Sequence, residues 1–98
     1  MAAEDHEMVS IYPHSEESRD ALMTHGRECV LMWATKDGWP VGVIHANEWH
    51  EGRVWITIAA HRHRAAAIRR DPRVSVVVSG RTNDDPECPN GAITIKGR

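Results

Sequence analysis

Short runs of period-two hydrophobicity, turn-forming residues between them and only two helix-like stretches predict a mainly β, antiparallel domain with two short helices. Pro13 and Ser15 open the first helix. Ser15 is placed to cap it, Glu16 and Glu17 suit its positive end, and Gly26 ends it. Ala21, Leu22 and Met23 give that helix a narrow apolar side. From Glu28 the period becomes two, and residues 28–35 read as a largely buried strand. Lys36-Asp37-Gly38 carries hairpin chemistry, residues 41–47 form a second strand, and His50-Glu51-Gly52 a second turn. Residues 53–58 make a third strand, with Val54, Ile56 and Ile58 on one face and Arg53, Trp55 and Thr57 on the other. Three strands on short turns predict an antiparallel meander. The alanine run within 62–70 reads as a helix stopped by Asp71-Pro72. Residues 74–79 form a fourth strand, 80–90 a proline-broken loop, and 91–97 a fifth strand. Five such strands can curl into a barrel, but two raw edges remain for a partner or further chain to cover.

Ninety-eight residues make one domain, divided here into a loose arm over 1–12 and the domain proper over 13–98. A chain this short buries only roughly 60–65% of its unfolded surface, so a second subunit would help it. Apolar content is 41% and charged content 27%, ordinary for a globular protein. The net charge of −2 excludes a chain built as a whole to neutralise nucleic acid. No apolar run approaches the roughly 20 residues of a membrane span, and the acidic N-terminus is unlike a signal peptide. Cys29 and Cys88 form no paired motif, which fits a reduced, cytoplasmic setting.

The informative stretch is Val54 to Arg64. A strand ends, the small residues Ala59 and Ala60 follow, and Arg62 and Arg64 stand where a helix opens. Unpaired N–H groups at a helix start favour an anion, and guanidinium adds a planar fork suited to phosphate. Thr57 offers a further donor. A solvated basic helix end is the plainer alternative.

Three segments then carry a resemblance: Val-Leu-Met-Trp-Ala-Thr-Lys-Asp-Gly-Trp-Pro (30–40), Arg-Val-Trp-Ile-Thr (53–57) and Arg-His-Arg-Ala-Ala-Ala-Ile-Arg-Arg-Asp-Pro-Arg-Val-Ser-Val-Val-Val (62–78). In order and spacing, and in the closing Lys-Gly strand, residues 20–98 resemble the pyridoxamine 5′-phosphate oxidase-like split β-barrel proteins, which bind FMN or the deazaflavin coenzyme F-420. The resemblance implies an antiparallel split β-barrel flavoprotein acting as a homodimer, with the cofactor between subunits. It implies Arg62 and Arg64 on the cofactor phosphate, the latter where such proteins commonly carry Lys. It places the ring near Thr57, Ile58, Val43 and Ile44, with Trp55 on ring or interface. Such proteins usually continue past the Lys-Gly strand with elements that close the barrel, and these are expected to be missing here. The implied function is an FMN- or deazaflavin-dependent oxidoreductase on a small organic substrate, with no side-chain catalyst named because the cofactor carries the redox step. The alternatives are a non-catalytic flavin, deazaflavin or haem binder, and a dimerisation scaffold without cofactor.

Other groups have plainer roles. His61, His63, His45 and His50 lack the Cys or carboxylate that would complete a metal set. Arg62, Arg64, Arg69, Arg70 and Arg73 make a poor stripe for nucleic acid. Trp33 is expected in the packing, Trp39 and Trp49 beside turns at an interface, Cys29 buried, and Cys88 as an exposed thiol.

Overall fold

The computed structural model describes residues 14–80 and 85–98, so the expected arm over 1–12 lies outside the described residues. The order is α1 (Glu16–His25), β1 (Glu28–Ala34), β2 (Pro40–Ala46), β3 (Glu48–His50), β4 (Arg53–Trp55), α2 (His63–Arg70), β5 (Val74–Ser79) and β6 (Ala92–Gly97). The chain is mainly β with antiparallel pairing and two helices. A four-stranded sheet runs β2-β1-β5-β6, and β3-β4 forms a separate ribbon. Among the described residues the sheets do not close into a barrel, an arrangement compatible with a split barrel.

Local chemistry sets the ends of α1. Ser15 Oγ accepts from Ser18 N at 3.1 Å, and Gly26 N donates to Leu22 O at 2.7 Å. Gly26 is not left-handed: its φ is −73°. Glycine is needed there for closeness, since a Cβ would lie 2.6 Å from Val78 Cγ1. The Thr35–Trp39 turn closes with Thr35 N on Trp39 O at 2.8 Å, and Trp39 N donates to Thr35 Oγ1 at 2.9 Å. Glu51 and Gly52 both have positive φ, 54° and 71°, which makes the tight turn between β3 and β4.

The expected meander is wrong. β1 is central and pairs with β2 on one side and β5 on the other. The third strand leaves the sheet and pairs with Glu48–His50, a strand the sequence reading missed. Buried Asn47 turns the corner: its N donates to Arg27 O at 2.9 Å and its Nδ2 to Gly26 O at 3.3 Å. Since β3 is only three residues long, its partner ladder stops at Trp55 rather than Ile58. The alternation continues without it, with Ile56 and Ile58 half-buried and Thr57 exposed.

The core joins Leu22 and Met23 of α1 to Cys29, Leu31, Val76 and Val78 on one sheet face. Trp33, Val54, Ile56, Ile58 and Ile68 pack around it, as expected for Trp33. Register puts Val30, Met32, Gly42, Ile44 and Val77 on the opposite face. The helices and the ribbon all contribute to the core side. Among the described residues, no element is packed over the outer face, where Ile44 is 72% exposed.

Candidate functional site

The chain enters α2 through a turn in which Arg62 N donates to Ala59 O at 3.0 Å. Arg62 is the N-cap, with φ −68° and ψ 146°, and its carbonyl accepts from Ala65 N at 3.1 Å. Its side chain makes no capping bond, and the first turn of α2 holds no acidic residue. This helix mouth is therefore open to an anion, with the positive dipole end uncompensated.

The two arginines stand in different surroundings. Arg62 stands on extended backbone at the N-cap and Arg64 within the first helical turn, so helical spacing does not pair their side chains. Arg62 is exposed, whereas Arg64 is half-buried with its Nε enclosed and without a hydrogen-bond partner among the described residues. Arg64 lies close enough to His45 of β2 to act on its titration. His45 stands opposite Cys29 on the core-facing side of the β1–β2 ladder, and its Nε2 is likewise buried without a partner. Burial first, then the Arg64 charge, pushes the His45 imidazole below the ordinary histidine value. Burial also pushes the Cys29 thiol up, against a smaller opposing effect of a backbone hydrogen bond from His45, so Cys29 is a protonated core thiol.

The lowered His45 titration makes stability depend on pH. Its unfolded form titrates near the ordinary value of about 6.5, and its folded form lower. The unfolded state thus binds more protons in that window, and the contribution to stability is complete above it and declines as pH falls through it. In Arg64→Gln the folded His45 should titrate at higher pH, and its part of the acid-side loss should shrink. NMR of the imidazole signals reads this directly; an unmoved His45 titration would show that Arg64 does not act on it.

The remaining residues separate by strand geometry. Val43 faces the core opposite Leu31, while Ile44 faces outward opposite Val30. Only Ile44 is therefore available on the outer face. Ile58 packs against the core cluster, whereas Thr57 is exposed. Trp55 is 52% exposed, and its Nε1 donates to His50 O at 3.0 Å. Ile44, Trp55, Thr57 and Arg62 present surface; Val43, Ile58 and in part Arg64 support it from behind. His45 is the residue that sequence reasoning weighed only as a metal ligand. The signal was present, because alternation over Val41, Val43 and His45 puts an imidazole among inward positions.

Arg73 is held by Asp71, with Nη2–Oδ2 at 2.8 Å and Nε–Oδ1 at 3.0 Å. That guanidinium holds the Asp71 carboxyl down at about 2. At the other end of the sheet His25 Nδ1 meets Asp85 Oδ2 at 3.0 Å, which ties the loop before β6 to the end of α1. Cys88 in that loop is half-buried rather than exposed, and burial raises its thiol, with the Asp85 charge adding to it. No helix among the described residues is long and apolar enough to cross a membrane.

No protein-family model matches the sequence, and no curated protein matches it. Solved structures do share the fold. A conserved hypothetical protein, Rv2991 from Mycobacterium tuberculosis, is 24% identical, with a TM-score of 0.71 over 87% of this chain and 51% of that one. A second solved structure is 21% identical, with a TM-score of 0.70 over 87% of this chain and 59% of the other. The chain thus shares the fold of these structures over most of its own length and spans little more than half of theirs.

Proposed function

We propose that this chain binds FMN or the deazaflavin coenzyme F-420 between two copies of itself and serves redox chemistry on a small organic substrate. The carrying observation is the mouth of α2, where a helix start without a side-chain cap is flanked by an exposed Arg62 and a half-enclosed Arg64, with no acid in the first turn. That donor set fits a phosphate. Ile44, Trp55 and Thr57 are the exposed residues suited to the ring, and Val43 and Ile58 would stiffen the backbone behind it. When bound, the cofactor supplies hydride exchange, and the protein supplies orientation and electrostatics. The inferred setting is cytoplasmic, where both free thiols would stay reduced.

The outer sheet face supports the dimer. Val30, Met32 and Val77 are half-buried there while Ile44 projects, two residues along from Gly42. A Cβ at Gly42 would sit 3.1 Å from both Met32 Cγ and Val30 Cγ1, so these side chains lean over the glycine and make a continuous apolar surface beside Ile44. Two-fold pairing would bury each Ile44 against the other copy's outer face, since an isologous contact uses the same patch on both copies. Titration with FMN and, separately, with F-420, while the mass of the species is followed, tests the reading. A dimer that takes up one of them is expected. Ile44→Asp should yield a folded monomer with weakened retention. A dimer that binds neither cofactor overturns the flavin reading, and a dimer unaffected by Ile44→Asp overturns the assigned interface.

A further inference from the structure

On the core side of the sheet the unclosed architecture leaves a cleft of about 750 Å³ between the four-stranded sheet and the β3-β4 ribbon. Its apolar lining is mainly aliphatic, with Leu31, Val76, Ile93 and Ile95 from the sheet and Val54 and Ile56 from the ribbon strand and its continuation, joined by Trp49. The volume lies in the range of small-molecule sites, roughly 300–1,000 Å³, and such aliphatic side chains offer no hydrogen bond to water.

Arg19, Arg53 and Arg98 also line this cleft, each on an exposed residue, against one acidic side chain, Asp20. None of the three arginines is ion-paired among the described residues. They differ in this from Arg73, which Asp71 holds. An apolar interior behind an excess of unpaired guanidinium, in a chain whose net charge is −2, selects an occupant by charge. A carboxylate head gains charge-assisted hydrogen bonds from these guanidinium groups that a cation or a neutral oil cannot make.

We infer that this cleft is a binding site for a free, water-soluble amphiphilic carboxylate, its hydrocarbon body among Leu31, Ile95 and Val54 and its head on Arg19 and Arg53. The site is separate from the α2 mouth and stands whether or not a flavin binds there. A body of about a dozen carbons suits the space.

Laurate, below its micelle concentration, is the probe, titrated calorimetrically into the full chain with the mass of the species followed. Saturable binding at one site per chain is expected. Dodecyltrimethylammonium, with the same tail and the opposite head, should bind at least about tenfold more weakly. The double substitution Arg19→Glu with Arg53→Glu lies on exposed positions and should leave the melting temperature nearly unchanged. It should reverse the preference, weakening laurate about tenfold and strengthening the cation. Three outcomes overturn the inference: equal binding of both heads, laurate uptake only as a dimer dissociates, which would give the cleft to a second copy, or binding to anionic phosphatidylglycerol vesicles in place of free laurate.

Discussion

Replacing Leu22 by Ala is expected to lower the unfolding free energy by about 3 kcal/mol, within the usual range for burying a void in place of a leucine. Leu22 is fully buried, and it fixes α1 against Cys29, Leu31 and Val78. The loss has two parts: apolar surface no longer withdrawn from water, and a cavity that a sheet tied by backbone hydrogen bonds cannot collapse to fill. In a domain of this size each kcal/mol moves the melting temperature by about 4–8 °C, so the variant should melt about 15 °C lower. Thr24, exposed on the same helix, is the control. Thr24→Ala should change stability by no more than about 0.5 kcal/mol. Urea unfolding at fixed protein concentration measures both, and the midpoint should move without a change in slope. Equal effects at the two positions would mean that α1 is not docked where the core places it.

The largest functional effect is expected from Arg62→Ala and Arg64→Ala together, which should abolish cofactor retention. Taken singly, they should behave differently because their surroundings differ. Arg62 is exposed and makes no capping bond, so its removal should leave the fold intact and remove only its grip on an anion. A charge-assisted hydrogen bond contributes about 1.5–3 kcal/mol, which predicts roughly 10- to 150-fold weaker binding. Arg64 is partly enclosed beside His45, and its loss should also shift the His45 titration and repack the space between α2 and β2. Binding constants for the two singles, read beside their melting temperatures, separate these roles. Retention unchanged in the double variant would remove the phosphate assignment, whatever the state of the fold.

Both expectations depend on how far local sequence carries. Ser15 and Gly26 bound α1, the Lys36–Gly38 turn joins β1 to β2, and Asp71-Pro72 closes α2, all legible from residue chemistry alone. The fourth strand falls at Val74–Ser79 with the bounds its β-branched run implies. Cys29 and Trp33 also lie where alternation puts them. These features depend on backbone dihedrals, capping and period, which neighbours in sequence determine.

Strand partnership is another matter. β1 takes β5 as its second neighbour, across the ribbon and α2, and β4 turns away to a three-residue partner beyond Asn47. A meander and this arrangement present nearly the same local pattern. What separates them is burial: placing β5 beside β1 brings Val76 and Val78 over Leu22, and that gain must exceed the entropy of closing a long loop. The division between Arg62 and Arg64 has the same origin, because a helix start is written in the residues, but the side of it that meets β2 depends on where the sheet lies. The sequence alone determined the two helices, the strands that became β1, β2, β5 and β6 and the turns that bound them, though not the three-residue β3, and it placed Arg62 and Arg64 at the start of α2. Only the tertiary structure decided which strands are neighbours, which sheet face stays bare and which arginine faces water, because those depend on burial summed over residues distant in the chain.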